Sequence, residues 1–158
     1  MSISDQSPFP AVATELLQTV NSALVTLRSI PEPAAARALA PGKWSRKQIV
    51  GHLIDSASNN HQRFVRAQQA PEFEFPGYEQ DHWVNCQRYD DCSWADLIGL
   101  WHAYNRHLAH IIGRMPEAQR HVTCKIGANA PVTLEFLAHD YVVHLKHHLG
   151  QINRNGSA

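Results

Sequence analysis

Apolar residues recur every three or four positions in four segments of the chain, which is the spacing of amphipathic α-helices. The segments cover about residues 10–30, 45–70, 93–115 and 133–152. Prolines follow the first three segments, where they would end a helix, and a proline precedes the fourth. The pattern therefore predicts four helices long enough to pack side by side.

The starts of three of these helices carry capping signals. Ser45 and Gln48 form an S-x-x-Q capping box, in which each side chain satisfies a free backbone N–H group of the first turn. Ser93 and Asp96 repeat this spacing, and Thr133 is the expected N-cap of the last helix. The caps place the helix starts independently of the apolar pattern.

Two long connections, residues 70–92 and 116–132, are rich in polar residues, proline and glycine. Long crossovers allow bundle topologies other than simple up-down-up-down. Residues 121–127 alternate weakly between polar and apolar, which indicates at most a short extended piece, and we predict no sheet there. The expected fold is an all-α four-helix bundle with two long connections. It forms a single domain over residues 1–158, with its core at about 10–153.

Composition and charge restrict the partners. Lys plus Arg and Asp plus Glu both number 14, so the formal net charge is zero and no basic surface is expected to recruit nucleic acid or an anionic membrane. Near-neutrality also favours self-association. We expect a protein of the cytoplasm, because the sequence shows no membrane span and no signal peptide. Cys86, Cys92 and Cys124 form no CxxC pair and are expected to be reduced thiols.

Eleven histidines are the unusual feature of the composition. His144 and His148 are four residues apart, so on a helix their imidazoles leave one face one turn apart and can bind a single metal ion. His147 points away from that face. Asp140 and Gln151 lie near the same side, where they could orient the imidazoles by hydrogen bonds. From spacing alone, a chance match in a His-rich chain is an equally good explanation.

A third candidate ligand, His52, lies beside the apolar stripe of the second predicted helix. Ser56, Asn59 and Arg63 share its side and form a polar strip. The strip can be the wall of a polar pocket, with His52 as a ligand, or simply a solvated face. By contrast, His107 and His110 fall outside the apolar arc of the third helix and are expected to face solvent.

Three motifs give the chain a resemblance to a known family. W-S-x-x-x-x-x-x-H-L-x-D is matched by Trp44, Ser45, His52, Leu53 and Asp55. Y-x-Q-D-x-W is matched by Tyr78, Gln80, Asp81 and Trp83. H-x-x-H-H-x-x-Q-I is matched by His144, His147, His148, Gln151 and Ile152. Their order and separation over about residues 12–153 resemble the DinB/YfiT-like superfamily of four-helix metalloproteins, in particular the YfiT-type thiol S-transferases and metal-dependent hydrolases.

The resemblance implies that His52, His144 and His148 bind one divalent metal ion, usually nickel or zinc. It also implies a homodimer, as in many members. Asp55 belongs to the first motif and is expected to support the ligands together with Asp140 and Gln151. The family name refers to induction by DNA damage, which concerns regulation and implies no binding to DNA.

The function predicted from these residues is thiol S-transfer to a small electrophilic molecule, with the metal holding the thiolate of a low-molecular-weight thiol. Glutathione, bacillithiol and mycothiol are equally open as the co-substrate. The alternatives are a metal-dependent small-molecule hydrolase, and a non-catalytic bundle that stores or senses metal or serves a regulatory partner.

Further roles are assigned from position in the sequence. Asp81 or His82 would act as general base. The predicted substrate contacts are Asn59, Arg63, Tyr78 and Trp83. In this set the Arg63 guanidinium would pair with a carboxylate of the thiol. The two aromatic side chains would form a wall of the electrophile site.

Overall fold

The computed structural model describes residues 7–154, so residues 1–6 and 155–158 of the predicted domain lie outside the described range. Within that range the helices are α1 Phe9–Ser29, α2 Glu32–Ala36, α3 Arg46–Arg66, α4 Gln80–Gln87, α5 Trp94–Ile112 and α6 Leu134–Arg154. The strands are β1 Glu72–Phe75, β2 Thr123–Ile126 and β3 Val132–Thr133. None of these helices is long and apolar enough to cross a bilayer.

The four long helices α1, α3, α5 and α6 form the predicted bundle. The main contacts of α1 are with α5 and α6, and the same two helices are the main long-helix partners of α3. Helices α1 and α3 are therefore diagonal to each other, although they follow one another among the long helices. This arrangement differs from a simple up-down-up-down bundle, because the connection from α1 to α3 and the connection from α5 to α6 each cross an end of the bundle.

The caps predicted from the sequence are present. The Ser45 hydroxyl accepts a hydrogen bond from the Gln48 backbone N–H, and the Gln48 side chain accepts one from the Ser45 N–H. The side chain of Ser93 caps α5, and that of Thr133 accepts a hydrogen bond from the backbone N–H of Phe136. Local hydrogen bonding thus fixes where three of the long helices begin.

The prediction of no sheet in residues 121–127 was wrong. Strand β2 pairs in parallel with β1 and antiparallel with β3, giving a small three-stranded sheet. The weak alternation in the sequence was a true strand signal, because Val122, Cys124 and Ile126 are buried whereas Thr123 and Lys125 are exposed. The pairing partner β1 lies about 50 residues away, so no local pattern indicated it.

Tyr89 is one of the residues that attach the connection between α3 and α5 to α3. The Tyr89 hydroxyl donates a hydrogen bond of 2.5 Å to Oδ1 of Asp55, and Gln87 Nε2 donates another of 2.7 Å to the same oxygen. The Tyr89 ring lies against Gly51, where an added Cβ would come within 2.0 Å of it. A glycine and a carboxylate one helical turn apart thus hold this connection, including α4, against the bundle.

Candidate metal centre

Three imidazoles from two helices meet between α3 and α6. His52 comes from α3, and His144 and His148 come from successive turns of α6. The Nε2 atom of His144 lies 3.2 Å from Nε2 of His52 and 3.1 Å from Nε2 of His148. In the described part of the chain, this is the one group of three or more His, Cys, Asp or Glu residues with ligand atoms all within 4.8 Å of one another.

The geometry of the three nitrogens fits a bound transition metal. Two imidazole nitrogens about 2.05 Å from one zinc ion at a tetrahedral angle are about 3.3 Å apart, close to the observed separations. Each neutral imidazole offers one nitrogen lone pair, and a single cation can accept one from each of the three rings. The His triad, as we call His52, His144 and His148, therefore has the donor set and spacing of a metal site.

Burial keeps the three imidazoles of the triad uncharged. His52 is 1% exposed, and burial lowers its pKa to about 3, with further lowering from the nearby His148 and His144. Burial also lowers the pKa of His144 to about 4, helped by His148 and His147. For His148 the pKa is again lowered by burial, against the hydrogen bond that its ring donates to Gln151, which raises the pKa. The neutral imidazole is the form that binds metal, so the site is ready for a cation at neutral pH.

Gln151 determines how His148 is oriented. Its Oε1 atom lies 2.9 Å from Nδ1 of His148, and its Nε2 atom lies 3.3 Å from Nε2 of the exposed His147. The amide oxygen can only accept and the amide nitrogen can only donate, so Nδ1 of His148 carries the proton. The lone pair of His148 is then on Nε2, the atom that faces His144. His147 is held at the outside of this chain of hydrogen bonds.

The His triad opens into a cavity of about 520 Å³, which we call the metal-side cavity. Its lining includes His148 and Gln151 from α6, Asp81 from α4, and Lys43 and Trp44 from the segment before α3. The Trp44 ring also lies against His52, with ring centroids 5.1 Å apart. The lining thus combines a ring that covers a ligand imidazole with a carboxylate and an ammonium group.

A second cavity of about 590 Å³ lies on the other side of the α4 start, and we call it the aromatic cavity. Its aromatic lining residues are Phe75, Tyr78, Trp83 and Tyr104. Asn59, Glu79 and His82 are among the other lining residues. The two cavities share no lining residue.

Comparison with known proteins agrees with this architecture. Residues 15–152 match the model of the DinB superfamily. The chain belongs to the DinB superfamily. A similar solved structure is that of YfiT from Bacillus subtilis, described as a probable metal-dependent hydrolase with an unusual four-helix bundle topology. It matches with a TM-score of 0.78 at 18% identity, over 98% of this chain and 87% of that one. No curated protein matches the sequence.

The polar strip predicted on α3 is a buried feature of this DinB protein. His52, Ser56 and Asn59 are buried, and Arg63 is half-buried. The burial excludes the solvated-face alternative, and of these four residues Asn59 alone lines one of the two cavities. The Arg63 guanidinium lies 5.7 Å from the centroid of the Phe75 ring, and burial lowers its pKa. It lines neither of the two cavities.

The other predicted site residues of this DinB protein are dispersed. Asp81 lines the metal-side cavity, whereas Asn59, Tyr78, His82 and Trp83 line the aromatic cavity. The two candidates for general base, which are adjacent in the sequence, thus face different spaces. Lys43 was not singled out from the sequence, and the only signal for it was its position directly before the W-S motif.

Of the three residues expected to support the ligands, Gln151 contacts a ligand imidazole. Asp140 is exposed, and within residues 7–154 its side chain makes no hydrogen bond to His144. Asp55 binds Tyr89 and Gln87 through Oδ1, while its buried Oδ2 has no partner in the described range. Burial raises the Asp55 pKa and outweighs the two hydrogen bonds, which lower it.

Proposed function

We propose that this DinB protein is a metal-dependent enzyme whose His triad holds one divalent transition metal ion, zinc or nickel. The observation that supports it most is the convergence of three Nε2 atoms at 3.1 and 3.2 Å, one from the buried His52 and two from the half-buried His144 and His148. Three protein ligands leave at least one coordination position free, which is typical of catalytic rather than structural sites. The metal-side cavity gives a small molecule access to that position through His148.

A divalent cation at this site would lower the pKa of a water or thiol that binds it. The residues around the cation would orient the ligands, cover them and remove a proton from the nucleophile. Gln151 fixes the His148 tautomer, and the Trp44 ring covers His52. The Asp81 carboxylate lies in the same cavity as His148 and is our candidate for the general base that removes a proton from the nucleophile. His82 lines the aromatic cavity instead and is the second candidate.

Hydrolysis of a small molecule is the reaction that we favour. The Asp81 carboxylate supports it, because a water nucleophile must lose a proton. The description of the similar YfiT structure as a metal-dependent hydrolase points the same way. Thiol S-transfer is the second candidate, supported by Lys43 in the same cavity, whose ammonium group can pair with a carboxylate of a low-molecular-weight thiol.

The experiment is a paired assay of protein loaded with zinc or nickel. One arm contains a panel of small esters and amides, and the other contains glutathione, bacillithiol or mycothiol with a panel of electrophiles. His144→Ala protein serves as the metal-site control. Metal-dependent cleavage supports the hydrolase, and adduct formation faster than in the protein-free control supports the transferase. Neither reaction at full metal occupancy contradicts the enzyme proposal and favours a metal-storing, sensing or regulatory bundle.

The predicted substrate contacts remain part of the proposal. A substrate would contact Asn59, Tyr78 and Trp83 only if it also extends into the aromatic cavity. It would contact Arg63 only if it reaches behind Phe75. Substrates of increasing length in the hydrolase arm test this. The Michaelis constant of Trp83→Leu should rise for long substrates and stay unchanged for short ones.

We also propose the homodimer implied by the family resemblance. On α6, Phe136 is 52% exposed and Val143 is 63% exposed, and their seven-residue spacing places them on one face. Exposed apolar side chains of this kind favour burial against a second copy. Sedimentation equilibrium of the wild type and of Phe136→Glu tests it, with a dimer expected for the first and a monomer for the second.

A further inference from the structure

The aromatic cavity is lined by several aromatic rings that the chemistry at the His triad does not itself require. The rings of Tyr78 and Trp83 lie with their centroids 5.0 Å apart and their planes inclined at 55°. Phe75 and Tyr104 add two further rings to the lining. Aromatic faces carry the negative part of the ring quadrupole, so several rings around one space favour a positively charged group.

The charged residues that line the aromatic cavity also favour a positively charged ligand. Glu79 is the one Asp, Glu, Lys or Arg among the lining residues of the aromatic cavity. The metal-side cavity differs, because there Lys43 accompanies Asp81. The lining therefore combines the Glu79 carboxylate with His82 and with no Lys or Arg, and the Arg63 guanidinium, 5.7 Å from the centroid of the Phe75 ring, is not among the lining residues.

The two tyrosines of the cavity are uncharged at neutral pH. Burial raises the pKa of Tyr78 to about 12, with a smaller contribution from the negative charge of Asp55 and an opposing one from Arg63. Burial also raises the pKa of Tyr104, whose hydroxyl lies 3.0 Å from Nδ1 of His61. At neutral pH both side chains thus present intact phenol rings.

We propose that the aromatic cavity is a binding site for a small organic cation with a quaternary ammonium group. The cation would lie against the Tyr78 and Trp83 rings, and the Glu79 carboxylate would balance its charge. A volume of about 590 Å³ is large enough for such a ligand. This inference does not depend on the proposed reaction at the His triad.

The site is separate from the metal-side cavity although the first turn of α4 borders both. Glu79, His82 and Trp83 line the aromatic cavity, whereas Gln80 and Asp81 line the other. A change in His148 should therefore leave cation binding intact. A neutral apolar or aromatic ligand is the alternative occupant, and it is distinguished by removing the charge of the probe without changing its shape.

The experiment is isothermal titration of the full-length protein with choline and with 3,3-dimethylbutan-1-ol, its neutral isostere. We expect choline to bind at one site per chain and the alcohol to bind about tenfold more weakly or worse. Trp83→Leu and Glu79→Gln should each weaken choline binding by about tenfold, whereas Trp83→Phe should retain most of it. The Glu79 side chain makes no capping hydrogen bond to α4, so Glu79→Gln is not expected to disturb the helix.

His148→Ala is the matched control, and its choline affinity should equal that of the wild type. Equal affinity for choline and the alcohol would overturn the inference, because the cavity would then recognise shape and not charge. Absence of choline binding at millimolar concentrations, in protein with a cooperative thermal transition, would overturn it as well. Equal weakening by His148→Ala and Trp83→Leu would show that the cation binds elsewhere.

Discussion

The Nε2 atoms of His52 and His144 lie 3.2 Å apart, although 92 residues separate the two positions in the chain. The contact exists because α3 and α6 pack against each other in the bundle. His148 lies beside His144 because the two are four residues apart on α6, which needs no further tertiary contact. The candidate metal site is thus one tertiary contact plus one local spacing, and each part can be tested separately.

Metal content should distinguish the ligands from their neighbour. We expect His144→Ala to reduce bound metal from about one ion per chain to nearly none, because it removes one of three ligands. His147→Ala should keep its metal, since His147 is exposed and contacts Gln151 on its outer side. Elemental analysis of both purified variants measures this, and equal loss in the two would contradict the assignment of the His triad.

Replacement of Gln151 should weaken metal binding without removing a ligand. In Gln151→Leu, Nδ1 of His148 loses its hydrogen-bond acceptor, and the ring is free to rotate or change tautomer. We expect metal affinity to fall about 10–100-fold in competition with a chromophoric chelator. Gln151→Glu keeps an acceptor and is the matched control. Wild-type affinity in Gln151→Leu would show that packing alone orients His148.

Activity should depend on Asp81 more than on His82. If Asp81 is the general base, Asp81→Asn should lower kcat by about 10²–10⁴-fold with unchanged metal content. His82→Asn should have little effect, since His82 lines the other cavity. Steady-state kinetics on a substrate found in the paired assay measures both variants. The reverse order of effects would transfer the role to His82.

Stability should respond oppositely to alanine at two helical glycines. Gly51→Ala places a Cβ within 2.0 Å of the Tyr89 ring and should lower the free energy of unfolding by about 1–3 kcal/mol. Gly99 in α5 has nothing within 4 Å of an added Cβ, so Gly99→Ala should raise it by up to about 1 kcal/mol. Urea denaturation compares the two. Equal effects would show that Tyr89 moves aside without cost.

The metal-free protein should lose stability in mild acid. His52 and His144 have pKa values of about 3 and about 4 when folded, below the value of 6.5 for an unperturbed His. Between about pH 6.5 and 4 the unfolded chain therefore binds more protons than the folded chain, and the free energy of unfolding falls as the pH falls.

Urea denaturation midpoints at several pH values across that window measure this effect. Other groups titrate in the same range, and the raised pKa of Asp55 acts in the opposite direction. His52→Leu is therefore the internal comparison, because it removes one of the depressed groups. Its midpoint should fall less than that of the wild type, and an identical fall would contradict the pKa assignment.

The parts of the molecule that were predictable are those with local causes. The apolar repeat and the caps at Ser45, Ser93 and Thr133 arise within one helix each, so the starts of the four long helices were predicted to within about one residue, whereas their ends differ by up to four. The spacing of His144 and His148 is equally local. The pairing of His52 with them depends on how the helices pack, and it was predicted through the family motifs rather than through the pattern.

The parts that were missed have causes distant in the sequence. The strand at residues 123–126 is stabilised by a partner at 72–75, and Gly51 is required by a ring 38 positions later. Asp81 and His82 were treated as equivalent because they are adjacent. On a helix, however, adjacent side chains point about 100° apart, which is enough for them to enter different cavities.

The first turn of α4 is a partition between two chambers. A compound in one cavity that pushes this turn toward the other cavity must reduce the volume of that other cavity. A compound that only makes the turn more rigid preorganises both cavities for binding. By thermodynamic linkage, if a ligand in one cavity changes the affinity of the other cavity for its own ligand, that second ligand changes the affinity for the first by the same factor. The eight residues of α4, attached to the bundle through Asp55, would thus allow one small molecule to change the affinity for a second, unrelated one that it does not contact.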